Sequence, residues 1–173
     1  MKIKNLFFGL LILLSASACN SDDDSMTGND SEIVGTWTMT AFSYTGNSSS
    51  TTFGQTTSTD FNGVGRDITM QLEFKSDGTY TSSGSYIIDL SFGIIGQSIT
   101  VPITFQGFMG NGTYVVDGDQ ITATNSDNET GTSTIIKLEG DDLELASSQD
   151  ETIIDQGSTV DYTIDGDFIF RRQ

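Results

Sequence analysis

The feature that most narrows the fold of this chain is a two-residue rhythm of apolar side chains. Ile68, Met70, Leu72 and Phe74 alternate with Thr69, Gln71, Glu73 and Lys75. The same rhythm returns at Tyr86/Ile88/Leu90/Phe92 and at Ile99/Val101/Ile103/Phe105. Successive side chains of a strand point to opposite faces, so this pattern belongs to strands buried on one side. Shorter alternations follow at Tyr114/Val116, Ile121/Ala123, Ile136/Leu138, Leu143/Leu145 and Val160/Tyr162/Ile164, ending in Phe168/Phe170. Between them stand Ser76-Asp77-Gly78, Ile95-Gly96-Gln97, Asp117-Gly118-Asp119, Gly140-Asp141-Asp142 and Asp165-Gly166-Asp167. Asp-Gly supplies the positive φ that tight hairpin turns require. Little helix is expected, because after the first twenty residues no stretch sustains a 3.6-residue period with caps. Strands joined by short turns are antiparallel neighbours, and about eight to ten of them with one apolar face each make an up-and-down barrel or a sandwich. Closing the sheet into a barrel would remove exposed edges.

Charge then excludes function classes. Among 173 residues there are 24 Asp+Glu, 7 Lys+Arg and no His, for a formal net charge of −17. Phosphate contacts need clustered Lys and Arg, so nucleic acid is not an expected partner. Without imidazole, the Ser-His-Asp and Cys-His constellations and the usual His-ligated zinc sites are gone. The pairs Asp117/Asp119, Asp141/Asp142 and Asp165/Asp167 lack the spacing of a calcium loop and read as turn residues. A carboxylate-only hydrolase stays as the least favoured reading, because no inward-facing acid pair stands out. The expectation is a non-enzymatic binding protein with no catalytic residues, no cofactor and no metal site.

The first residues read as an address. Lys2 and Lys4 precede the nine-residue run Leu6–Leu14, and Ser15-Ala16-Ser17-Ala18 leads to Cys19, the only cysteine. The apolar run is too short to span a bilayer, which takes about 20 residues, and it has the layout of a secretory signal. Ala16-Ser17-Ala18-Cys19 resembles the lipobox of bacterial lipoproteins. That resemblance implies cleavage after residue 18 and acyl chains on Cys19, which would make a membrane the partner of this end of the chain. Removing Lys2 and Lys4 makes the mature chain two charges more negative. Residues 19–31 then form a polar, self-repelling tether. Within it, Asp22, Asp23 and Asp24 resemble the acidic export signal of certain Gram-negative surface lipoproteins. The expected location is therefore the outer membrane, lipid-anchored and facing outward.

Residues 32–173 remain as one β-domain. It opens with Gly35-Thr36-Trp37 and continues through Leu72-Glu73-Phe74-Lys75-Ser76-Asp77-Gly78-Thr79-Tyr80, Gly112-Thr113-Tyr114, Ile121-Thr122, Leu138-Glu139-Gly140-Asp141-Asp142-Leu143-Glu144-Leu145 and Phe168-Ile169-Phe170-Arg171-Arg172. In this order the motifs resemble the bacterial lipocalin-like lipoproteins. The resemblance implies an all-β, antiparallel, lipocalin-like barrel in which Trp37 plugs one end and Arg172 lies across its ring, with Arg171 as second choice. It also makes Thr45–Gly65, poor in large apolar residues, a long loop over the barrel mouth. The apolar segment Ile87–Phe108 departs from the family pattern. Its neighbourhood offers Tyr86, Ile88, Leu90, Phe92, Val101, Ile103, Phe105 and Phe108 as cavity-lining candidates, with ordinary core packing as the plainer reading of each. A cavity there would take a small hydrophobic or amphipathic ligand. The rival expectation is a filled core and a surface module that contacts a protein or glycan.

Overall fold

The computed structural model describes residues 29–94, 97–107, 110–155 and 158–173. Cys19, Asp22, Asp23, Asp24 and Phe108 therefore lie outside the described residues. A short helix, α1 (Asn29–Ile33), leads into β1 (Gly35–Thr52), β2 (Gln55–Arg66), β3 (Gln71–Phe74) and β4 (Thr79–Ser83). There follow β5 (Ser85–Ile94), β6 (Gln97–Gln106), β7 (Gly112–Asp117), β8 (Gln120–Asn125), β9 (Thr130–Glu139), β10 (Asp142–Asp155) and β11 (Ser158–Arg172).

The pairings resolve these elements into eight walls. Strands β2 and β3 lie end to end beside β1, which meets β3 over Gly35–Thr38 and β2 over Ser43–Thr52. In the same way β4 and β5 pair with β3 and β2, and β6 and β7 pair with β5 and β4. The breaks in these walls coincide with positive-φ residues Asp67, Gly84 and Gly107. Strands β7 through β11 continue as a meander, and β11 pairs with β1 from Trp37↔Arg172 to Thr51↔Thr159. The result is an antiparallel up-and-down barrel closed between its first and last strands.

The walls differ in height. Strands β8 and β9 turn at Ser126–Glu129, and β9 meets β10 only over Thr134–Glu139. Above that level the order β6-β5-β2-β1-β11-β10 continues as an open six-stranded sheet. The closed half is filled by its own side chains. Trp37, Met39, Met70, Leu72, Phe74, Tyr80, Leu143 and Phe170 are each at most 3% exposed, and Phe74 meets Tyr114 edge to face at 4.8 Å. Burying side chains of this size contributes about 1.5–3 kcal/mol each.

Two expectations are corrected. Thr45–Gly65 is no loop but the far half of a hairpin arm, with Thr52↔Gln55 closing a two-residue turn at Phe53 and Gly54. Both left-handed turn residues, φ 51° and 77°, fit the twist of a tight hairpin. Apolar alternation is absent there because much of the arm is wet on both faces. Cross-strand polar pairs knit it instead: Thr51 with Thr56 at 2.9 Å, and Asn47 Nδ2 donating to Asp60 at 2.6 Å. Asp165-Gly166-Asp167 is likewise no turn but the middle of β11. Gly166 is paired with Tyr44 across the sheet and lies under the Phe168 ring.

Candidate functional site

At the closed end, Trp37 is fully buried and its Nε1 donates to Ile33 O at 2.7 Å. Arg172 Cζ sits 4.2 Å from the indole centroid. The Arg172 guanidinium donates to Glu32 O at 2.5 Å and Val34 O at 2.8 Å, so one side chain ties the last strand to the entry of the first. Gly35 makes room for this. Its φ is +144°, and a Cβ there would stand 2.5 Å from Arg172 Nη1. Arg171 points elsewhere, forming an ion pair with Asp142, which also accepts from Lys137 at 2.7 Å. The Lys137 hydrogen bond holds the Asp142 carboxyl below its ordinary range.

The open end presents a graded apolar wall. Alternation and register place Tyr86, Ile88, Leu90 and Phe92 of β5 opposite Phe105, Ile103, Val101 and Ile99 of β6, all on the inner face. Tyr86 and Ile88 are core residues, and Leu90 and Phe105 pack against the core while partly exposed. Phe92 and Ile103 are half-buried, whereas Val101 and Ile99 are 40% and 41% exposed. The wall therefore brings together seven of the eight predicted lining residues along one face that runs from core to solvent. Two concavities among the described residues lie elsewhere, one beside Arg172 and one on the outer face of the open sheet.

Sequence reasoning missed Tyr44. A bulge between Met39 and Ala41 shifts the inward phase of β1, so Phe42 and Tyr44 face in where simple counting from Trp37 turns them out. The companion signal was the Gly63-x-Gly65 spacing on β2. Tyr44 lies over Gly63 and Phe42 over Gly65, and a Cβ at either glycine would meet the ring at 2.3 or 2.1 Å. Tyr44 is 8% exposed, and its Oη has no hydrogen-bond partner among the described residues. Burial pushes the Tyr44 phenol up to about 12. Tyr86 is pushed to about 12 by its own burial and by the nearby Tyr44.

No curated protein and no solved structure matches the chain. A family model described as a lipocalin-like domain matches residues 33–145, from the end of α1 into β10. That span carries Gly35-Thr36-Trp37 and most of the barrel, and β11 completes the ring beyond it. With sequence match and closed antiparallel barrel in agreement, the chain belongs to the lipocalin-like domain family.

Proposed function

We propose that this chain is a lipid-anchored, outward-facing binding protein that holds a small hydrophobic or amphipathic ligand against the inner wall of its open end. The observation that carries this reading is the continuity of that wall. Apolar side chains run without a break from buried Ile88 to exposed Val101, so a ligand laid there extends the core instead of creating a separate site. Tyr44, buried at the junction with a hydroxyl that lacks an acceptor among the described residues, supplies a polar handle suited to a carbonyl or hydroxyl oxygen of an amphipathic molecule. Anchoring follows from Cys19: several acyl chains, at about 0.8 kcal/mol per buried methylene, hold a protein at a membrane where one alone does not. Asp22, Asp23 and Asp24 direct the anchored chain outward.

The test uses the Cys19→Ser chain and the neutral apolar dye Nile red. Val101→Gln with Ile99→Gln should weaken dye binding at least tenfold without changing the melting temperature, since both side chains are exposed. Absence of dye binding to the unsubstituted chain, or equal binding to the double variant, overturns the reading. Cys19→Ser should move the protein from the membrane to the soluble fraction. Replacing Asp22, Asp23 and Asp24 by Ala should protect it from protease added to intact cells.

A further inference from the structure

We infer that the outer face of the open sheet carries a second, separate site, a polar trough that takes a neutral oligosaccharide. The concavity has a volume of about 470 Å³, within the range of small-molecule sites. Register shows how it is built. Asp165, Thr45, Asn62 and Ser91 form one row across β11, β1, β2 and β5. Thr163, Asn47 and Asp60 form the next, and Gly93 paired with Ser98 extends the site to β6. These positions alternate with inward Tyr44, Phe61, Leu90 and Ile164, so their side chains project from the opposite face.

The lining chemistry chooses the ligand. Every projecting side chain offers a hydroxyl, an amide or a carboxylate, and no cation stands among them. With two carboxylates in the lining and −17 on the chain, anionic ligands are repelled. Gly46, Phe61 and Phe92 complete the lining from the row between, the two phenylalanine side chains turned to the inner face, so the outward-projecting mixture of donors and acceptors suits a ligand that is itself a row of hydroxyls. Five strands at about 4.8 Å spacing give a trough roughly 20 Å long, which favours an extended chain over a single sugar. The groups are held in place beforehand. Ser58 Oγ is 2.9 Å from Asn47 Oδ1, Asn47 Nδ2 is 2.6 Å from Asp60 Oδ1, and the Ser91 and Thr100 hydroxyls are 2.7 Å apart. Less conformational freedom is then lost on binding. Gly93 keeps the trough open: a Cβ added there meets nothing within 4 Å, so a side chain at this position occupies the trough without straining the fold.

The experiment titrates the isotopically labelled Cys19→Ser chain by NMR with cellohexaose, maltohexaose, mannohexaose and chitohexaose, and with spermine as a cationic control. At least one hexasaccharide should shift amides of Thr45, Asn62, Ser91 and Thr163. Gly93→Val and Asn62→Ala should each weaken that binding at least tenfold while leaving Nile red binding unchanged, which separates this site from the inner wall. Absence of trough shifts with all four sugars overturns the inference. So do shifts confined to the inner wall, trough binding by spermine in place of sugar, or undiminished binding to Gly93→Val.

Discussion

At the scale of single residues, the closed end depends on one guanidinium, that of Arg172, which has no carboxylate partner among the described residues. Arg172 spends its charge on the Trp37 face and on backbone carbonyls of residues that precede β1. Arg172→Ala should therefore cost about 2–4 kcal/mol, combining a cation–π contact with lost charge-assisted hydrogen bonds. The same variant should shift Trp37 emission to longer wavelength, and Arg172→Lys should recover only part of the loss because a point charge cannot fork to two carbonyls. Tyr44 presents the opposite balance, a buried donor with no acceptor among the described residues. Tyr44→Phe should raise stability by about 1–2 kcal/mol in denaturant titrations at neutral pH, while weakening any ligand that uses the hydroxyl. The pH dependence has a definite sign. A phenol raised from 10.0 to about 12 holds its proton more tightly when folded, so its contribution is complete below pH 10 and is lost as pH rises toward 12. Tyr44→Phe should flatten that alkaline limb. Asp142 behaves inversely: its carboxyl is depressed by Lys137, so its contribution is present above the ordinary carboxylate range and lost as pH falls through its lowered value. Asp142→Asn should flatten the acid limb of stability against pH.

At the scale of elements, β6 shows how the open sheet protects its edge. Among the described residues β6 pairs with β5 alone, and from Gln97 to Gln106 it carries no charge. Such an edge invites another strand. Gly107 N donates to Gly84 O, which marks Gly84/Gly107 as a hydrogen-bonded pair. Counting in twos along the register makes Asp89/Pro102 a pair of the other kind, so the nitrogen of Pro102 lies on the outer edge. The chain's only proline thus removes a donor from the middle of the row a partner strand would bind. Pro102→Thr should restore it and produce concentration-dependent self-association, read by analytical ultracentrifugation; a monomer at all concentrations would refute this role. The opposite edge, the far half of β10, relies on charge, with Asp150 and Glu151 facing alternate sides. The β1–β2 arm was missed in the sequence because its strands are recognisable only once paired: Ser and Thr become strand residues through the hydroxyl partners across from them.

At the scale of the whole molecule, −17 on 173 residues is a standing repulsion that the fold tolerates by burying none of its described acids. Raising ionic strength from about 0.01 to 0.15 M shortens the screening length from about 30 to 8 Å. Stability should rise by about 1 kcal/mol, or roughly 3 °C in melting temperature, and an unchanged melting curve would show the charges to be too dispersed to matter. The sequence by itself determined the strand class and most of the hairpin turns, because two-residue alternation and Asp-Gly turns are local signals, while the Trp37–Arg172 pairing came from the family resemblance of its motifs. Tertiary structure alone decided which walls stop halfway and where β1 shifts phase. It also decided that Tyr44 finds no acceptor among the described residues, and that residues as distant as Thr45 and Asp165 share one trough. The physical reason is that bulges, wall height and register arise from pairing between strands far apart in the chain, and no local pattern of side chains encodes which distant strand will lie alongside.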